Sequence, residues 1–95
     1  MENLLRRKLI AKLRAAHALV SQFTGGYSEG FVDAEEFSAT LGKAIQELES
    51  GNKAVLSDIE LWFLPTSDWD DFVGKEGLEL GEEICQIITQ YMKSA

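Results

Sequence analysis

Ninety-five residues, 45% of them hydrophobic and only one a proline, make a single globular domain that is large enough for its own core and too apolar to be disordered. A formal charge of −7 works against nucleic acid and anionic membranes as partners and favours cationic ones. One cysteine, Cys85, excludes an internal disulfide and fits a reducing compartment, with the cytoplasm as the expected location.

The charge is divided along the chain. Residues 1–23 carry five basic side chains against one acidic, and the remaining residues four against fifteen, so −11 falls on residues 24–95. No apolar run approaches the roughly 18 residues of a membrane span. Leu4 to Phe23 is basic and amphipathic, as a mitochondrial transit peptide is, but losing it strips a major apolar face from a small domain.

Leu5, Leu9, Leu13, Ala16, Val20 and Phe23 recur at spacings of four and three, which predicts a helix over residues 3–23 ended by Gly25-Gly26. The stripe is narrow and nearly heptad-like, suited to packing inside the domain or to pairing with a second copy. Thr24 to Val32, with three glycines, reads as a loop between antiparallel neighbours. Asp33 is an N-cap with Glu36 at the third helical position, and Val32 is placed to staple onto Phe37. That second helix runs through Leu41, Ala44, Ile45 and Leu48 to Gly51-Asn52, and Gly42 within it marks a close helix approach.

Val55 to Leu64 fits strand or helix on periodicity alone; Ser57-Asp58 as a cap and Pro65 as a stop favour a helix of about two turns. Thr66-Ser67-Asp68 caps a further turn through Trp69 and Phe72. Leu80, Ile84, Ile87, Ile88 and Tyr91 define a last helix over residues 77–93, with Glu79, Glu82 and Glu83 complementing its N-terminal dipole. The expected fold is all-α, a compact bundle of about four helices, three long and one or two short, forming one acidic domain over residues 1–95.

Catalytic groups are scarce. His17 and Cys85 are the only histidine and thiol, fall on separate helices and have no flanking motif for nucleophilic catalysis. Against an EF-hand loop, Asp68, Asp70 and Glu79 match the first, third and last positions, but Phe72 and Val73 stand where a ligand and a glycine are required. No cofactor or metal is therefore expected. Trp62, Phe63, Trp69 and Phe72 read as core residues first, yet Trp62 and Trp69 beside Asp58, Asp68, Asp70 and Asp71 also have the composition of a contact surface for a basic protein. Arg6, Arg7, Lys8 and Lys12 read as neutralising the acidic faces of neighbouring helices.

Asp58 to Pro65, followed by Thr66 to Gly77 and a final amphipathic helix, resembles the small immunity proteins that neutralise nuclease bacteriocins. In that family a short third helix opens with Asp and ends in two aromatics and a proline, ahead of an acidic loop and a last helix. Asp58, Trp62, Phe63, Pro65 and the Asp70-Asp71 pair occupy comparable places, over about a third of the chain. The family's paired tyrosines are Trp62 and Phe63 here, and Leu64 intervenes before the proline. The resemblance implies an acidic four-helix bundle acting as an inhibitor.

Together these readings give a non-enzymatic domain that binds a basic protein, of the immunity or antitoxin type, through Asp58, Trp62, Asp68, Trp69, Asp70 and Asp71. The alternative is a self-associating structural or adaptor domain that forms a homodimer through Leu5, Leu9, Leu13, Val20 and Phe23.

Overall fold

The computed structural model describes residues 2–26, 31, 33–64 and 68–94. It is an all-α bundle of three long helices, α1 (Glu2–Val20), α2 (Ala34–Glu49) and α5 (Leu78–Ser94), with two short ones, α3 (Val55–Phe63) and α4 (Asp68–Val73), and a 3-10 turn over Gly74–Gly77. A radius of gyration of 12.4 Å is that of one compact body, about 12 Å being expected for a chain of this length.

The helix ends follow local chemistry. α1 stops three residues short of the predicted end, because Gln22 and Phe23 donate to the carbonyls of Leu19 and Val20 at 3.1 and 3.0 Å, tightening the last turn before Gly25 and Gly26 take positive φ. The chain is then clasped to the start of α2: Ala34 N–H donates to the Gly25 carbonyl at 2.8 Å and Gly25 N–H to Glu35 Oε1 at 2.9 Å. Asp33 caps α2 as expected, accepting from Glu36 N–H at 2.8 Å.

α3 begins earlier than Ser57-Asp58. Asn52 Oδ1 accepts from Ala54 N–H at 3.1 Å, so the turn after α2 feeds directly into Val55, and Ser57 and Asp58 lie inside the first turns. Leu64 ends α3 in extended backbone, the conformation a residue before proline is held to. The staple from Val32, the stop at Pro65 and the cap from Thr66-Ser67 lie outside the described residues.

α1 and α2 run antiparallel and touch along their length: Arg6 Nη2 donates to the carbonyls of Leu48 and Glu49 at 2.9 and 2.6 Å, the His17 ring lies against Gly42, and Ser21 Oγ is 3.0 Å from Ser38 Oγ. A Cβ on Gly42 would come within 3.1 Å of His17 Nε2, so the glycine does mark the close approach. α5 closes the other side of α1, with Lys12 paired to Glu83 at 2.8 Å.

The core contains Leu9, Leu13, Ala16 and Val20 of α1, all fully buried, with Leu41, Leu48, Ile59, Ile84 and Ile88. The stripe expected to carry a homodimer is therefore spent inside the chain, with Leu5 and Phe23 half-buried at its margins. A second copy has no access to Leu9, Leu13 or Val20 without unfolding α1 from α2 and α5.

At the α3–α4 end the core is aromatic and centred on Phe37. Its ring lies 5.0 Å from Phe31, 5.5 Å from Phe72, 6.0 Å from Trp62 and 6.4 Å from Trp69 between centroids. Trp69 is wholly buried, against the expectation that its ring faces a partner: Nε1–H donates to the Gly77 carbonyl at 2.7 Å, and the Nε1-bearing edge of the indole packs against Gly77 and Gly81. A Cβ at Gly77 would sit 2.5 Å from indole Cζ2, and one at Gly81 2.8 Å from Cδ1.

Trp69→Ala is expected to cost about 3–5 kcal/mol in urea melts, as truncation of a buried large aromatic does. Gly81→Ala is expected to destabilise the protein despite a helix-propensity gain of up to about 1 kcal/mol, because overpacking costs about 1–3 kcal/mol. In a Trp69→Leu background the sign should reverse; an equal loss in both backgrounds would show that the indole is not what excludes the methyl group.

Candidate functional site

The six residues expected to meet a partner separate into three environments. Asp58 and Trp62 are one helical turn apart on α3, Asp58 exposed and Trp62 half-buried with its inner edge against Phe31 and Phe37. Asp68, Asp70 and Asp71 occupy the first turn of α4, where carboxylates complement the helix dipole; Asp71 is exposed and the other two are half-buried. Trp69 belongs to the core. α3 and α4 are in contact.

Leu61 and Leu64 extend this surface. Apolar density alone places them in the core, but Ile59 and Phe63 take the inward positions of α3, leaving Leu61 58% and Leu64 40% exposed. Asp58, Leu61 and Trp62 stand at i, i+3 and i+4 and share one face, an apolar strip edged by carboxylate.

Around the corner, α3, α4 and α5 enclose a cavity of about 240 Å³. Phe63, Leu78, Gly81 and Cys85 line it together with Asp70, Glu82 and Gln86. Leu78 is 50% exposed at this site. Cys85 Sγ–H donates to the Phe63 carbonyl at 2.8 Å. Burial pushes its pKa up from the ordinary 9.0, and the charges of Glu60 and Asp70 push it further in the same direction. The thiol is thus held neutral, the opposite of an activated nucleophile. His17 lies at a different junction, in the α1–α2 groove beside Arg14 and Glu49.

Among the described residues no group of three or more His, Cys, Asp or Glu side chains is placed to hold a metal ion, and no helix is long and apolar enough to cross a membrane. Three basic side chains of α1 are turned to internal use: Arg6 on the C-terminal carbonyls of α2, Arg14 on Glu49 and Lys12 on Glu83. No family model, curated protein or solved structure matches the chain.

Sequence reasoning missed Leu61, Leu64 and Leu78 as surface residues, and Glu82 beside Cys85 as part of a cavity. The Gly77–Gly81 spacing was a visible signal that the 3-10 turn and the start of α5 together offer a side-chain-free strip to a large neighbour.

Trp62→Ala is expected to cost about 1–2 kcal/mol, well under the loss for Trp69→Ala, because only part of its area leaves water on folding. Cys85 should react with iodoacetamide more slowly in the native protein than in urea at the same pH. Its folded pKa lies above its unfolded one, so its contribution to stability is intact below the ordinary thiol value and declines as pH rises past it. Urea melts at rising alkaline pH should show that decline in the wild type relative to Cys85→Ala; parallel curves would mean the thiol titrates freely.

Proposed function

We propose that the chain is a non-enzymatic protein-binding domain for a basic partner, of the immunity or antitoxin kind. The observation that carries this reading is the outward face of α3, where Leu61 stays in water next to Asp58 and the half-exposed Trp62. An exposed leucine beside a tryptophan edge supplies apolar area for a contact, and the carboxylates around it select a cationic counterpart and speed its approach.

The charge layout supports the same reading. Arg6, Arg14 and Lys12 are engaged within the bundle, so the −11 of residues 24–95 dominates the surface away from α1. A cationic patch built to hold nucleic acid is the natural target for such a surface, because the acidic domain covers it with complementary charge. The resemblance of the Asp58–Gly77 segment to bacteriocin immunity proteins points the same way.

The test is recovery of a partner from the native host on immobilised protein, followed by association kinetics at two salt concentrations. The expected partner is basic. Replacing Asp58 and Asp71 together by asparagine should slow association and flatten its salt dependence while leaving the melting curve nearly unchanged. An acidic partner, or an unchanged rate and salt slope in the doubly substituted protein, would overturn the reading.

A further inference from the structure

The outer face of α5 is built differently from the rest of this acidic surface. From Ile84 to Met92 the helix carries no charge, and Cys85, Gln86, Thr89 and Gln90 line a shallow depression along it. Its charges are confined to the ends, with Glu79 and Glu82 exposed at the start, Glu83 paired to Lys12, and Lys93 exposed in the last turn. The same helix holds both halves of a helix–helix contact. Leu78, Gly81, Glu82 and Cys85, at i, i+3, i+4 and i+7, line the cavity of about 240 Å³, and four residues at that spacing form the hole that receives one side chain of a facing helix. Met92, two heptads after Leu78 on the same face, is 42% exposed and has the unbranched side chain that adapts to irregular gaps. Knob and hole are about three turns apart, so a second copy of α5 running antiparallel meets both at once. Charge selects the same direction: antiparallel helices bring Lys93 of each copy to the Glu79–Glu82 turn of the other and oppose their dipoles, whereas parallel ones set acid on acid and base on base.

We propose that this face of α5 docks on a second copy of the chain, antiparallel about a two-fold axis near Gln86, with Met92 of each copy in the cavity of the other. Gln86 suits a place at the axis because an amide both donates and accepts, and so pairs with its own image. The contact uses neither Asp58 nor Leu61 and stands independently of the basic-partner reading.

Sedimentation of the full-length protein from micromolar to millimolar concentration is expected to pass from monomer to dimer. Met92 is exposed, so Met92→Glu should leave the urea melt nearly unchanged while holding the protein monomeric. Lys93→Glu, and separately Glu79→Lys with Glu82→Lys, should each weaken dimerisation about ten-fold, because exposed ion pairs at both ends of the contact become repulsions. Mixed in equal amounts, those two variants should form a heterodimer of near wild-type affinity, since both ends are attractive again. A monomer at every concentration would give the face to some other protein and overturn the proposal. A dimer that survives Met92→Glu, or a mixture that associates no better than its components, would place the dimer contact elsewhere and overturn it too. None of these results bears on association with a basic protein at Asp58, which is read by its own salt dependence.

Discussion

The close contact between the Nε1 edge of the Trp69 indole and the backbone of Gly77 and Gly81 holds the α3–α4 end of the molecule to the long helices. The ring is fully buried, its only polar atom is satisfied by the Gly77 carbonyl, and it packs tilted against Phe63 at a centroid distance of 4.9 Å. With a side chain at either glycine the ring is driven outward, and Phe37 and Phe63 lose a neighbour around which they pack. The position of α4, and with it of Asp70 and Asp71, is set by this one wedge. Any surface that α3 and α4 present together inherits its geometry from a contact inside the protein.

The same economy governs charge. α1 supplies the cations, but Arg6 is consumed by the orphan carbonyls at the end of α2, while Arg14 and Lys12 each meet a glutamate of a neighbouring helix. With those three cations engaged inside the bundle, the excess of acidic over basic side chains on residues 24–95 sets the field away from α1. An apolar strip at Leu61 and a small apolar cavity at Leu78 lie within that field, which is how a surface combines selectivity with adhesion.

Much of the architecture was legible in the chain because period and caps agree. The α1 stripe, the Asp33 cap and the Ile84 to Tyr91 face each state helix and inward side at once. The surface was less legible, since the signals there conflict. Val55 to Leu64 is apolar nearly throughout, and its composition does not say which two leucines stay in water; that depends on α5 taking the Ile59–Phe63 side. Trp69 misled for the opposite reason. Its aspartate neighbours suggest a surface position, but helical geometry points residues 70 and 71 away from the side on which 69 and 72 are buried, with 68 at its margin. The start of α3 moved because a side chain outside the helix, Asn52, sets it.

The packing order has a consequence for how the chain comes into being. α1, the first of the five helices in chain order, finds its most extensive partner in α5, the last of the five. Until the ribosome has released Ile84, Ile88 and Tyr91, the leucines of α1 can close only against α2, and half of their stripe remains open to other chains. Folding is thereby postponed until α5 is made, with the long loop closure from α1 to α5 as its slow entropic step. In the interval, the lysines and arginines that alternate with those leucines are what keep the nascent helix in solution.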